Sequence, residues 1–350
     1  VNKRLLFITP MFPKDKAEDT IVPFITHFTE TFVNNTDAEV DILALMFPLS
    51  KDYFYEGIKV YTIKSGYKKK LKMFPYLIKA ISRGIYLDKK NNYDGILCFW
   101  YSQSTLVGKV ISKFTRTPQI VWMLGQDVKK NNKYLNWIKI PAHKIIMVSN
   151  QQRNIFYKNY KIYVKKIANV AINPKRFPKI NNEERKIQIL GVGNLSPLKN
   201  YSLFIDIIQV LKKEFSNISV VLCGGDGEDK NSLLKKVDDF DLSNNIKFTG
   251  TIPHKKVLNF MNNSTIFLHT SKFEGNPTVV QEALYSGCYV ISTIPMEQSS
   301  KMDTFFHSTE KDEIINKIKN ILHNQKFLAK RVEKFKMTDT IDTVYKAFFD

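Results

Sequence analysis

Two carboxylates, Glu274 and Glu282, stand with seven residues between them in Ser271-Lys-Phe-Glu-Gly-Asn-Pro-Thr-Val-Val-Gln-Glu-Ala-Leu-Tyr-Ser-Gly-Cys-Tyr-Val-Ile291. Glu274 falls in a Gly-Asn-Pro loop after the apolar run Thr265 to Leu268, and Glu282 falls inside a helix that Pro277 can open as its first residue. A strand, a loop and a helix N-terminus in that order aim unpaired backbone N–H groups into one crevice. There the helix dipole favours a phosphate, and nearby carboxylates accept from sugar hydroxyls. These residue types suit a nucleotide-sugar.

Three further segments precede this one. Gly191-Val-Gly-Asn-Leu-Ser-Pro-Leu-Lys-Asn-Tyr201 reads as strand, loop and helix start, with Lys199 in the loop. Cys223-Gly-Gly-Asp-Gly-Glu228 is a glycine-rich turn after an apolar run, and Phe248-Thr-Gly-Thr-Ile-Pro-His254 is a second such loop. Taken alone each has an ordinary reading: glycines close many strand-to-helix turns, and an isolated lysine is usually solvated. His254 and His269 lack metal-ligand spacing, which favours core or surface roles. No catalytic triad and no GxxxxGK(S/T) loop stands out.

The elements that must position these residues alternate along the whole chain. Apolar runs at Leu5–Ile8, Val40–Leu45, Ile96–Phe99, Ile120–Met123 and Ile145–Val148 predict strands, with helices over Pro23–Val33 and Ser104–Phe114. The polar segment from Lys179 to Arg185 interrupts the rhythm as a linker candidate. Strands at Ile187–Val192, Ile218–Cys223, Ile246–Phe248, Thr265–Leu268 and Tyr289–Ile291 follow, with helices near Tyr201–Phe215, Asn231–Phe240, Lys255–Asn262 and Thr278–Ser286. Such alternation implies parallel sheets that bind ligands beyond their C-terminal strand ends. The 350 residues, 43% hydrophobic, suffice for two cores. Cys98, Cys223 and Cys288 lie in or beside apolar runs and read as buried reduced thiols. No apolar run approaches the about 20 residues of a membrane span, which predicts a soluble or surface-bound protein.

The order and spacing of the four segments resemble the E-x(7)-E signature of retaining GT-B glycosyltransferases of the large group 1, or family 4, type. The resemblance implies an α/β GT-B fold of two Rossmann-like, doubly wound parallel-sheet domains facing a cleft. Residues 1–180 would bind acceptor, residues 181–334 would bind donor, and a helix near 335–350 would pack back on the first domain. It implies catalytic roles for Glu274 and Lys199, and donor binding by Glu282, Gly275, Asn276, Pro277, Thr278, Asn194, Gly225 and Thr251. Gln126 and Asp127 become acceptor-side candidates, with Ser149 and Asn173 weaker ones. The partners implied are a nucleotide-sugar donor and a saccharide or lipid-linked acceptor, with no cofactor, no metal and no nucleic acid. The sequence departs from the family at Asn194, usually Arg, and at Leu124, usually His; the loop after Leu5–Ile8 carries no glycine through Asp19.

Charge is uneven. Residues 1–180 carry 31 Lys and Arg against 12 Asp and Glu, or +19, whereas the remainder carries +1. Such asymmetry asks for an anionic partner in the first half. Leu71, Phe74, Ile78, Ile81 and Ile85 recur at helical spacing among Lys68, Lys69, Lys70, Lys72, Lys79 and Arg83, the composition of a basic amphipathic surface helix. That favours an anionic membrane surface and a peripheral position on the cytoplasmic face of the plasma membrane. A nucleotide-sugar epimerase or phosphorylase of the same fold, and a basic nucleic-acid-binding protein, remain alternatives.

Overall fold

The computed structural model describes residues 3–18, 21–48, 51–63, 73–180, 185–297, 302–324 and 330–349. The linker residues 181–184 and the basic run Lys68, Lys69, Lys70, Leu71 and Lys72 therefore lie outside the described residues. The chain divides into two compact units, Val1–Ala171 with Phe335–Asp350, and Ile172–Lys334.

In the first unit the strands are β1 (Lys3–Met11), β2 (Ala38–Phe47), β3 (Tyr53–Tyr55), β4 (Ile58–Thr62), β5 (Gly95–Phe99), β6 (Gln119–Met123), β7 (Ile145–Met147) and β8 (Lys166–Ile167). They form one sheet in the order β3-β4-β2-β1-β5-β6-β7-β8, parallel except for β3 against β4. The expected strands match β1, β2, β5, β6 and β7, because parallel strands covered on both faces must be apolar throughout. The β3–β4 hairpin was not anticipated. Its strands are short, Phe54 and Lys59 point to solvent or to each other, and Glu56 and Gly57 turn the chain with φ of 48° and 82°, the sign a two-residue hairpin turn requires.

Helices α1 (Pro23–Asn35), α2 (Met73–Asn91), α3 (Gln103–Thr115), α4 (Lys133–Trp137) and α5 (Asn150–Tyr160) connect the strands. Phe7, Phe28, Phe32, Phe99 and Trp122 fill the core with stacked, tilted and edge-to-face ring pairs, the closest of them being Phe28–Trp122 at 4.9 Å between centroids. On α2 the inward face consists of Tyr76, Leu77, Ala80 and Leu87, one position round from the anticipated stripe. Phe74 is 73% exposed and Ile78 50% exposed, so that part of the stripe does not serve this core.

The second unit holds β9 (Ile187–Val192), β10 (Val220–Cys223), β11 (Ile246–Phe248), β12 (Ser264–His269), β13 (Tyr289–Ser292) and β14 (Phe305–His307), all parallel, in the order β11-β10-β9-β12-β13-β14. Helices α6 (Tyr201–Lys212), α7 (Lys230–Asp239), α8 (His254–Asn262), α9 (Thr278–Tyr285) and α10 (Lys311–Asn324) intervene. Counted from its own first strand the order is 3-2-1-4-5-6, the doubly wound arrangement, and the direction of winding reverses between β9 and β12.

The end of the polar segment is structural. Arg185 is buried and donates to the carbonyls of Ser264 (2.6 Å), Gly287 (2.9 Å) and Ser286 (2.9 Å), pinning the start of β9 to the flanks of β12 and α9. Just upstream, Phe177 packs edge-on against Tyr285 and Asn262 donates to the Lys179 carbonyl at 2.8 Å, holding that stretch on the second unit. The last helix, α11 (Met337–Phe349), returns to the first unit. It buries Met337, Ile341 and Val344 in the core that contains Phe28 and Phe32, and Phe348 closes on Gly95, where even a Cβ would come within 2.4 Å.

Candidate functional site

The reversal point of the second sheet is where ligands bind in doubly wound folds, since the loops leaving the two diverging strands separate there. Lys199 leaves β9 and Glu274 leaves β12, so the fold sets them opposite each other. Their side chains meet at 2.6 Å between Nζ and Oε1. The loops are also tied through the backbone: Thr270 Oγ1 donates to the Lys199 carbonyl at 2.9 Å, and the Lys272 amide to the Leu198 carbonyl at 2.8 Å.

Glu274 has two more partners. Ser271 Oγ donates to the same Oε1 at 3.1 Å, and His269 Nε2 lies 3.7 Å from it. Burial pushes this carboxyl up, but the neighbouring His269 ring and the charge and hydrogen bond of Lys199 more than offset that and hold it at about 2. His269 itself is buried on β12, and burial lowers its pKa against the pull of Glu274. Its other nitrogen meets Ser292 Oγ, at the end of β13, at 2.9 Å.

Glu282 lies on α9, 9% exposed, with its Oε1 at 2.8 Å from His254 Nε2. His254 and His269, read in the sequence as core or surface residues, thus each approach one of the two key acids. The signal was the place of His254 at the end of a quoted segment and of His269 just before one; what sequence spacing hides is that 28 residues separate His254 from Glu282. α9 opens at Pro277, which caps the helix from outside rather than occupying its first turn, and no side chain caps it. Its first-turn N–H groups are the kind that receive an anion. Gly275, Asn276, Pro277 and Thr278 lead into this end, and Gln281 fixes Asn276 by a 2.9 Å hydrogen bond between side chains.

The remaining donor-side candidates sit on neighbouring loops. The Leu195 amide donates to the Gly225 carbonyl at 3.0 Å and the Gly224 amide to the Gly250 carbonyl at 3.2 Å, drawing the loops after β9, β10 and β11 into one rim. A Cβ on Gly224 would fall 1.8 Å from the Gly193 carbonyl oxygen and one on Gly227 2.1 Å from that of Leu195. The glycine-rich turn is therefore needed first for loop-to-loop packing. Gly225 abuts Thr251, Asn194 is exposed on the rim, and its Oδ1 accepts from Ser196 Oγ at 3.3 Å.

Gln126 and Asp127 lie in the first unit, in the turn after β6. Asp127 is buried and spends its carboxylate on backbone: Oδ2 accepts from the amides of Tyr101 (2.9 Å) and Leu124 (3.3 Å), and Oδ1 from Gly125 (2.9 Å). Burial raises its pKa, and those amide hydrogen bonds counter only part of the rise. Gln126 is exposed beside Lys129. Ser149 caps α5 by accepting from the Gln152 amide, and Asn173 accepts from the Lys175 amide in a turn. Among the described residues, no group of three or more His, Cys, Asp or Glu could hold a metal ion, and no helix is long and apolar enough to cross a membrane.

A mostly parallel eight-stranded unit joined to a doubly wound six-stranded one, with acids and a lysine at the latter's reversal point, defines the GT-B class of fold. Solved structures agree in fold. Sucrose-phosphate synthase from Thermosynechococcus elongatus matches with a TM-score of 0.73 at 14% identity, covering 99% of this chain and 95% of that one. Anabaena HepE in complex with UDP and glucose matches with a TM-score of 0.73 at 15% identity, covering 99% of both chains. Residues 173–337 match the family model described as Glycosyl transferases group 1. Among curated proteins, the Staphylococcus aureus capsular polysaccharide biosynthesis glycosyltransferase CapH is 31% identical over 212 residues, 57% of this chain and 58% of that protein. The match thus spans little more than half of that relative's length.

Proposed function

We propose that the protein is a retaining glycosyltransferase that moves a sugar from a nucleotide-sugar donor to a saccharide or lipid-linked acceptor in the synthesis of a cell-surface polysaccharide or glycolipid. The observation that carries this reading is the Lys199–Glu274 pair at the reversal point of the second sheet, beside the uncapped start of α9, the helix that bears Glu282. Lys199 receives the diphosphate, Glu274 the hydroxyls of the donor sugar, Glu282 the ribose, and the amides from Gly275 to Thr278 the sugar and phosphate. On donor binding the Lys199–Glu274 ion pair opens, and each group exchanges its partner for a ligand atom of matching charge or donor type. The name of CapH and the UDP and glucose bound to HepE support the donor class and the polysaccharide context.

In the reaction the bond from the sugar's anomeric carbon to the phosphate oxygen breaks, and a bond from the acceptor oxygen forms on the same face. The acceptor's proton passes to the leaving phosphate. Lys199 favours the step because charge on that phosphate grows as the bond opens. The exposed Phe74 and Ile78 on α2, and the +19 charge of residues 1–180, suit an acceptor held at an anionic membrane surface.

A thermal-shift screen against a panel of nucleotide-sugars tests the donor class, since a ligand at 100 times its dissociation constant adds about 2.7 kcal/mol of stability. The donor so found should transfer its sugar with the anomeric configuration kept. No stabilisation by any nucleotide-sugar would refute the reading, and an epimerised or phosphorolysed product formed without acceptor would replace it with the corresponding activity.

A further inference from the structure

At the inner end of the candidate site a row of four side chains runs from Lys199 through Glu274 and His269 to Ser292. Lys199 Nζ and Glu274 Oε1 are 2.6 Å apart, Oε1 and His269 Nε2 3.7 Å, and His269 Nδ1 and Ser292 Oγ 2.9 Å. The far end fixes where the protons lie. Ser292 Oγ donates its single proton to the Ile294 carbonyl at 2.8 Å and accepts from the Ile294 amide at 3.0 Å. The contact with Nδ1 then requires a hydrogen on Nδ1, so this network assigns the neutral ring as the Nδ1–H tautomer, with a lone pair on Nε2.

That lone pair is poorly placed. His269 is 3% exposed, its Nε2 has no hydrogen-bond partner, and the atom it faces, Glu274 Oε1, is another acceptor. A buried acceptor without a donor costs free energy. The cost disappears once Nε2 is protonated, because the ring then donates to Oε1. Burial, aided by the charge of Lys199, keeps the proton away against the pull of Glu274. Other titratable neighbours leave this balance alone: Tyr201 on α6 and Cys223 at the end of β10 stay neutral because burial raises their pKa values, and Glu282 on α9 pairs with His254 on α8 at 2.8 Å.

We infer that His269 is a positioning residue for Glu274: it takes up a proton when Lys199 turns to the donor diphosphate, and as an imidazolium it holds the carboxylate through the reaction. The inference rests on the glycosyltransferase reading, in which the Lys199–Glu274 pair opens. Departure of the ammonium removes a repulsion on the ring and the diphosphate adds negative charge, so both changes favour the imidazolium. The proton comes from solvent. Without it, Glu274 would be left buried without a cation while it meets the sugar hydroxyls. In the free protein the pKa of His269 lies below its ordinary 6.5, and in the complex it is raised. Donor affinity therefore falls as pH rises between the two values, by up to about tenfold per pH unit.

Titration calorimetry with UDP-glucose, in two buffers of equal pH and different ionisation enthalpy, counts the protons. The diphosphate of a nucleotide-sugar is already ionised at neutral pH and contributes none. Wild type should take up about half a proton or more per donor near pH 7. His269→Gln offers Glu274 an amide N–H that does not titrate; it should keep turnover within about threefold, take up no proton and lose the pH dependence of affinity. His269→Leu offers no donor and should lower kcat about tenfold with little change in donor KM. Nitrogen NMR of labelled histidines should show the Nδ1–H tautomer in the neutral wild-type ring. In free Lys199→Ala the same ring should titrate at higher pH than in wild type, a readout that holds even where a His269 variant fails to fold.

Donor binding without proton uptake in wild type would overturn the inference, as would uptake unchanged in His269→Gln. Uptake lost in His254→Gln instead would assign the proton to the ring beside Glu282. Should UDP-glucose not bind, the nucleotide-sugar with the largest thermal shift takes its place. If none binds, the glycosyltransferase reading fails, and the NMR arm separates the two: an unmoved His269 titration in Lys199→Ala would refute the coupling as well, whereas a raised one would leave the coupling standing without that activity.

Discussion

The loop after β12 and the turn after β6 both hold an acid at the C-terminal edge of a parallel sheet, yet the two acids are held in opposite ways. Glu274 is met by side chains, Lys199, Ser271 and His269, and stays ionised down to about 2. Asp127 is met by the amides of Tyr101, Leu124 and Gly125, and burial raises its pKa. Side-chain partners can swing to a ligand and give the carboxylate up; backbone amides cannot move without unravelling the turn. The position of an acid beyond a strand end therefore makes it a candidate, and the nature of its partners decides whether it is available.

The largest expected effect tests the available acid. Lys199→Ala should lower turnover about 100-fold, the cost of removing one group aimed at developing charge. Glu274→Ala should lower it by at least about tenfold. Because the two touch, the double variant should lose less than the product of the single losses, and multiplicative losses in a steady-state assay would mean that they act separately.

Next comes the anchored acid. Asp127→Asn puts an NH2 group against backbone donors and should cost about 2 kcal/mol in chemical denaturation, the scale of a buried group left unsatisfied. Nucleotide-sugar affinity should not change; weaker donor binding would mean that Asp127 serves the donor site after all. Glu282→Ala should weaken donor binding about tenfold while leaving the turnover of the saturated enzyme nearly intact, since ribose contacts are equal in ground and transition states. Titration calorimetry that finds normal affinity would take Glu282 out of the site.

The smallest effect is in pH. Glu274 has a folded-state pKa below its ordinary 4.5, so its contribution to stability is present above 4.5 and lost as pH falls toward about 2. Asp127 has a folded-state pKa above its ordinary 3.8, so its contribution falls as pH rises from 3.8 through the raised value. Glu274→Gln should flatten the acid limb of a stability curve measured by denaturant, and Asp127→Asn should steepen the rise above 3.8. The same change of slope in both variants would erase the distinction drawn between the two acids.

The second unit was the more legible in sequence. β9 and β11 have the predicted limits, and β10, β12 and β13 shift by one or two residues, because each is an apolar run between a glycine or polar turn and a helix. The β3–β4 hairpin, the two-residue β8 and β14 were not predicted, nor were α4, α5 and α10. Short edge strands have one face in water and carry a mixed pattern. The stripe on α2 was read as a surface face, and Phe74 and Ile78 in it are exposed; that the helix buries Tyr76, Leu77, Ala80 and Leu87 instead was not legible, since the packing partner and not the periodicity decides which side turns inward. In the candidate site, Glu274, Lys199 and Glu282 were named from ordered spacing, and the fold brings Lys199 and Glu274 together. His254, His269 and Ser292 were not, because their contacts with the site or with each other cross between elements and no local pattern encodes that. Asp127 was visible as an acid in a turn, but its amide partners arise only from the folded backbone.

The return of α11 to the first unit sets an order on synthesis. Emerging from the ribosome, residues 172–334 are complete before Met337, Ile341 and Val344 exist as chain. The second unit can close its cores around Ile207 and Phe267 while the first still lacks the helix that covers Phe32 and abuts Gly95. The unit begun first is thus finished last, and throughout that interval its aromatic face is open to chaperones or to a neighbouring nascent chain.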